Sequence, residues 1–160
     1  MKQITIKPKE DLIFDVKVRE MCKWCKRYGK KATCPPYIES VEYYSDVLKR
    51  FKHGIIYYDF FPTDGDAEKV GHDSSMEIYK KITNERIRLF TEGHYLIMAL
   101  GAGSCKLCDR CTFPCPIPDK GIIPVEATGI DVVKTMAQRG VKISFPVKKT
   151  LMRVGVLLYD

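Results

Sequence analysis

The sequence predicts one α/β or α+β domain over residues 1–160, with a single sheet, a parallel βαβ unit, helices packed on it and two cysteine-rich loops at one end. Three observations carry this reading. Gly54-Ile55-Ile56-Tyr57-Tyr58-Asp59-Phe60-Phe61 and Tyr95-Leu96-Ile97-Met98-Ala99-Leu100 are almost unbroken apolar runs, the mark of strands covered on both faces. A helical pattern separates them, and a strand, a helix and a strand make a parallel crossover that is expected to be right-handed. All seven cysteines fall in two loops, residues 22–36 and 101–118.

Taken in order, Lys2 to Lys7 alternates through Ile4 and Ile6 and reads as a strand. Beyond Pro8 and Lys9, Leu12, Phe14, Val16 and Val18 alternate with Ile13, Asp15 and Lys17, a half-buried strand pattern. Ser40 is placed to cap a helix whose Val41, Tyr44, Val47, Leu48 and Phe51 share one face. The first apolar run follows, then a loop over 61–66. Ser74-Ser75-Met76-Glu77 is a capping box opening a long helix with Ile78, Tyr79, Ile82, Leu89 and Phe90 on its apolar side, and Gly93 is placed to end it. After the second apolar run, Gly101-Ala102-Gly103-Ser104 delivers the chain into the second cysteine loop. These glycines do not form a G-x-G-x-x-G phosphate cradle; they let backbone N–H groups approach whatever the cysteines hold. Pro124 to Ala127 reads as a short helix, Asp131 caps another through Val132, Val133 and Met136 to Gly140, and Arg153 to Tyr159 closes the chain as an inner strand.

The composition fits a globular protein with a real core: 45% hydrophobic and 29% charged over 160 residues. The start lacks an apolar h-region, no apolar run approaches a membrane span, and free cysteines in number point to a reducing cytoplasm. The formal charge of +7 counts seven cysteines as neutral. Two oxidised cubes of about +2 each against thiolate ligands would lower it by about 3. The balance then gives no case for nucleic acid, and nothing suggests a membrane.

Cys105-x2-Cys108-x2-Cys111-x3-Cys115-Pro116 carries the chemistry. Three thiolates at two-residue intervals wrap one [4Fe–4S] cube, each sulfur reaching a different iron. Structural zinc takes two separated knuckles, so four cysteines within eleven residues suit a cube better than a tetrahedral ion. Zinc stays the alternative. Upstream, Cys22-x2-Cys25 and Cys34-Pro35-Pro36 offer three more thiolates. In two-cluster ferredoxins the fourth cysteine of such a run ligates the other cluster, so Cys115 is expected to complete the upstream site. If it closes its own cube instead, the open iron lies upstream. Two cubes have eight iron corners, so seven cysteines leave one iron without a thiolate, with His53, His72 and His94 as candidate ligands.

With these pieces assembled, the chain resembles the predicted metal-binding proteins catalogued as domain of unknown function 2284. The matching residues are Cys22-x2-Cys25, Tyr28-Gly29-Lys30, Cys34-Pro35-Pro36-Tyr37, Gly103-Ser104-Cys105-x2-Cys108-x2-Cys111, Cys115, and Val125-Glu126-Ala127-Thr128-Gly129-Ile130-Asp131-Val132. Relatives often have a longer gap before the last cysteine and Arg after it, where this chain has Pro116. The resemblance implies metal binding and no particular reaction. The functional expectation is therefore an iron–sulfur protein with one or two [4Fe–4S] clusters, serving electron transfer or as a redox subunit with a redox partner protein. The alternatives are an enzyme or a sulfur or metal-centre maturation factor acting through an iron without cysteine, and a module in which metal only folds the loops.

Overall fold

The computed structural model describes residues 1–64, 67–143, 147 and 149–160. The chain forms β1 (Lys2–Ile6), α1 (Pro8–Asp11), α2 (Val16–Glu20), a 3-10 turn (Met21–Trp24), α3 (Val41–Leu48), β2 (His53–Pro62) and α4 (Ala67–Thr91). It continues with β3 (Ile97–Gly101), β4 (Ile123–Pro124), a second 3-10 turn (Glu126–Thr128), α5 (Val132–Gln138) and β5 (Thr150–Tyr159).

One five-stranded sheet has the order β1-β2-β5-β3-β4. β2 and β3 both run antiparallel to β5, so they are parallel to each other as a βαβ unit requires. The C-terminal strand β5 is inserted between them. The parallel pair that shares hydrogen bonds is β3 and β4, with Gly101 opposite Pro124.

Helices cover both faces of the sheet. Ile78, Ile82 and Leu89 of α4 pack on Ile55, Tyr57, Ala99 and Leu157. Tyr44 and Leu48 of α3 and Met136 of α5 pack on Ile56, Tyr58, Val156 and Leu158. This double cover is why β2 and the inner part of β5 read as continuous apolar runs. Gly155 is the point of closest approach of α4, since a Cβ there would lie 2.8 Å from Ile78 Cγ2. Among the described residues, no helix is long and apolar enough to cross a membrane.

Local signals placed several elements. Ser40 Oγ accepts the Tyr43 N–H at 3.1 Å, and Asp131 Oδ1 accepts the Lys134 N–H at 2.9 Å, so both caps stand where expected. Gly93 at φ +97° follows α4 and ends it.

Several expectations are corrected. The strand expected over Tyr95 to Leu100 begins only at Ile97, with Tyr95 and Leu96 exposed, and in place of a short helix over Pro124 to Ala127 stand β4 and the 3-10 turn of Glu126–Thr128. Leu12 to Val18 is not a strand. Pro8 opens α1, with Asp11 accepting the Lys7 N–H, and Asp15 caps α2 by accepting the Lys17 N–H, so the segment goes helical on either side of Leu12 and pairing shrinks to one bridge between Phe14 and Ile130. Ser74-Ser75-Met76-Glu77 does not open α4, which begins at Ala67. Both serines lie inside the helix, where the Ser74 hydroxyl donates to Gly71 O and the Ser75 hydroxyl donates to Ala102 O. Phe90 is exposed and packs only edge-on against Tyr95. Of the loop expected over 61–66, Phe61 and Pro62 belong to β2, while 65 and 66 lie outside the described residues.

Candidate metal centre

The second cysteine loop leaves the C-terminal end of β3 at Gly101 and returns to it at β4. Residues 102–122 carry neither helix nor strand. The first cysteine loop lies against the second. The Ala32 N–H donates to Cys111 Sγ at 3.3 Å, the Tyr37 and Phe113 rings sit 4.5 Å apart, and Gly121 comes close enough to Thr33 that a Cβ would lie 3.2 Å from Cγ2.

Cys22, Cys25 and Cys34 line one cavity of about 240 Å³, walled by Met21, Tyr28, Pro35 and Ala127 among others. The loop is built of tight turns, with Cys25 N–H donating to Cys22 O and Cys34 N–H to Lys31 O, both at 3.0 Å. Burial pushes the Cys34 thiol up to about 11, and the Cys25 and Cys22 sulfurs add to the rise. Burial also raises Cys22, against the pull of Arg19. This environment disfavours the charged forms of Cys22 and Cys34 until a cation joins them. The volume equals roughly eight waters at about 30 Å³ each, room for a multinuclear centre.

Cys105, Cys108, Cys111 and Cys115 line a second cavity, together with Ala32 and Thr33 of the first loop. Its volume of about 20 Å³ is close to a single water, so seating a cube requires the four sulfurs to spread, which this loop can do without breaking a strand ladder. The residues around it fit an acceptor-rich group. Tyr79 Oη and Thr33 Oγ1 are buried hydroxyls without a hydrogen-bond partner among the described residues. Thr33 lines the cavity, and the Tyr79 phenol is pushed up to about 12 by its burial and then by the Cys105 thiolate. Buried orphan donors cost about 1–3 kcal/mol each, and thiolate or sulfide acceptors would remove that cost. The donor set therefore suits an iron–sulfur cluster.

Cys115 thus lies with Cys105, Cys108 and Cys111, and does not border the cavity of Cys22, Cys25 and Cys34. Among the described residues, no three His, Cys, Asp or Glu side chains converge closely enough to hold a single metal ion.

Of the histidines, His53 and His94 pack against Tyr159, which pairs with Ile97 at the opposite end of β3 from the cysteine loops. His72 borders a cleft between the loops with Cys25 and Cys105, and its Nδ1 is 3.2 Å from Asp73 Oδ1. Sequence reasoning missed Glu126. It borders the three-thiol cavity, burial pushes its carboxyl up, and no described ion pair reaches it. Only its place in the Val125–Val132 motif hinted at this. The rest of that motif is structural: Val125, Ala127 and Thr128 are buried, and Gly129 turns with φ +89°.

Fold and site together define a mixed α/β protein that carries two groups of thiols on adjoining loops. The chain belongs to the family of predicted metal-binding proteins known as domain of unknown function 2284, which matches residues 5–159. No curated protein and no solved structure matches it at a significant level.

Proposed function

We propose that this chain is a cytoplasmic electron-transfer protein or redox subunit holding two [4Fe–4S] clusters, one on Cys105, Cys108, Cys111 and Cys115, the other on Cys22, Cys25 and Cys34. The observation that carries the reading is that four thiols line one cavity and three line another, on loops joined by the Ala32 N–H to Cys111 Sγ bond and flanking a cleft that Cys25, Cys105 and Cys108 share. A bound cubane supplies one-electron redox chemistry. The chain's own residues do the rest. Ala32 and Tyr79 stand as donors toward the sulfurs of the second loop, where hydrogen bonds favour the more negative, reduced state. Lys106, held below its ordinary value by burial and by Arg153, places positive charge beside Cys105. All seven cysteines are free, in keeping with a reducing compartment.

A second reading is favoured by one observation. The upstream cavity offers three thiols and Glu126, so one iron there would lack a cysteine. Glu126 can cover that position as a weak oxygen ligand, and a substrate can displace it, which suits an enzyme or a maturation factor. Changing Cys25 to Ser tests the division into two sites. About half the iron should be lost, with the other cluster's reduced EPR signal intact. Unchanged iron content would mean that the upstream thiols hold no cluster, and stoichiometric zinc without sulfide would replace both clusters with the metal-folded module.

A further inference from the structure

We propose that the two cysteine loops form a docking face for an acidic electron-carrier protein, centred on Trp24. This rests on the electron-transfer reading and adds the surface and the chemistry of the partner.

Two independent observations point to it. The first is apolar exposure. Trp24 is the chain's sole tryptophan and is 90% exposed. Met21, at the start of the same 3-10 turn, is 61% exposed, and the paired rings of Tyr37 and Phe113 are 53% and 48% exposed where the loops touch. Aromatic residues, methionine and arginine are enriched at the centres of protein interfaces, and tryptophan and tyrosine dominate their binding energy.

The second is charge. Residues 22–37 hold five Lys and Arg and no Asp or Glu, and residues 101–118 hold two Lys and Arg and one Asp, a net of +6. The whole chain carries +7, so every other residue together contributes only +1. Loaded clusters would add about −3 through their thiolates, leaving the face at about +3. The positive charge of this protein is thus concentrated in the two loops that carry its thiols. Such asymmetry steers an acidic partner into the orientation that brings it nearest the clusters.

A residual charge of about +3 falls short of the six to ten phosphate contacts of a typical nucleic-acid binder. Two cations of the face are already engaged, Lys23 with Glu20 at 2.6 Å and Lys26 with Glu68 at 3.5 Å. Mixed charges around exposed apolar residues suit a small, transient protein interface, of the kind redox partners bury below about 1,200 Å².

The test is calorimetric titration of the anaerobically reconstituted full chain with two acidic probes, a flavodoxin and a plant-type [2Fe–2S] ferredoxin. At least one should bind, more weakly as salt rises from about 50 to about 200 mM. Trp24→Ala and Lys30→Glu should each weaken that binding about tenfold. Lys52→Glu, an exposed change outside both loops, should leave it within about twofold. Trp24 makes too little contact for its removal to disturb folding. Failure of both probes, or equal affinity in Trp24→Ala and Lys52→Glu, would overturn the proposal. Tighter binding of a single-stranded oligonucleotide than of either probe would overturn it in favour of nucleic acid. Iron is measured on the same samples. Binding that depends on Trp24 in iron-free protein keeps the face and removes the cluster reading, whereas iron-loaded protein that binds neither probe does the reverse.

Discussion

Gly129→Ala is the change whose cost can be worked most directly from the structure. Gly129 follows the turn that carries Glu126 and Ala127 to the three-thiol cavity, and its carbonyl accepts the Asp15 N–H at 2.8 Å. Its φ of +89° costs a residue with a Cβ about 1–2 kcal/mol. The added Cβ would lie 2.5 Å from Val41 Cγ1 and 2.8 Å from Cγ2, and overpacking of that kind costs about 1–3 kcal/mol. The sum, about 2–5 kcal/mol, is a large share of the 5–15 kcal/mol that holds a typical domain. For a chain of this length it lowers Tm by roughly 4–20 °C. Gly140→Ala is the internal control, because Gly140 has φ +75° and no atom within 4 Å of its Cβ position. Urea denaturation of both variants, with and without Val41→Ala, separates backbone strain from the clash. Gly129→Ala should be the worse of the two, and Val41→Ala should cost less in its presence than alone. If Gly129→Ala is no more destabilising than Gly140→Ala, the packing of the turn against α3 is wrong.

Other outcomes follow from the thiols and their neighbours. Tyr79→Phe removes an orphan donor beside Cys105 and should lower the potential of the downstream cluster by on the order of 40–60 mV, measured by redox titration, taking about 1–1.4 kcal/mol for the lost bond and 59 mV per tenfold change. The signal of the upstream cluster should not move. In metal-free protein, Cys34 is raised from an ordinary 9.0 to about 11, so its contribution to stability is present below about pH 9 and is lost as the pH climbs toward 11. Thermal melts of the metal-free chain should fall over that window, and Cys34→Ala should flatten the fall. Glu126→Gln should leave the iron count unchanged and alter the EPR line shape of the upstream cluster alone, if Glu126 covers its open iron.

What the sequence made legible was local. Ser40 and Asp131 declare helix starts because their side chains bond to N–H groups three residues on, and Gly93 declares an end because a glycine takes the left-handed turn there without a Cβ clash. The apolar runs declare inner strands where both faces are covered, over 54–58 and 97–100, but the second run overreaches, since Tyr95 and Leu96 stand exposed before β3. The short helices around Leu12 were hidden, since four alternating apolar residues suit a strand and a pair of capped turns equally. The start of α4 was hidden as well, because Glu68, Lys69, His72 and Asp73 give its first turns no apolar stripe. The insertion of β5 between β2 and β3 depends on pairings as distant in the chain as His53 with Tyr159 and Ile97 with Tyr159, which no local pattern encodes. At the site, the seven cysteines were legible as ligand candidates from spacing alone. Which of them line a common cavity was not, because that depends on how the two loops pack together, nor was the approach of Tyr79 from α4.

The most direct test of two separate clusters is the content of iron and acid-labile sulfide per chain after anaerobic reconstitution, read beside zinc. The proposed sites predict about eight irons and eight sulfides, and about four of each once Cys25 is changed to Ser. Four of each in the unaltered chain would contradict an upstream cluster, and one or two zinc ions without sulfide would contradict both.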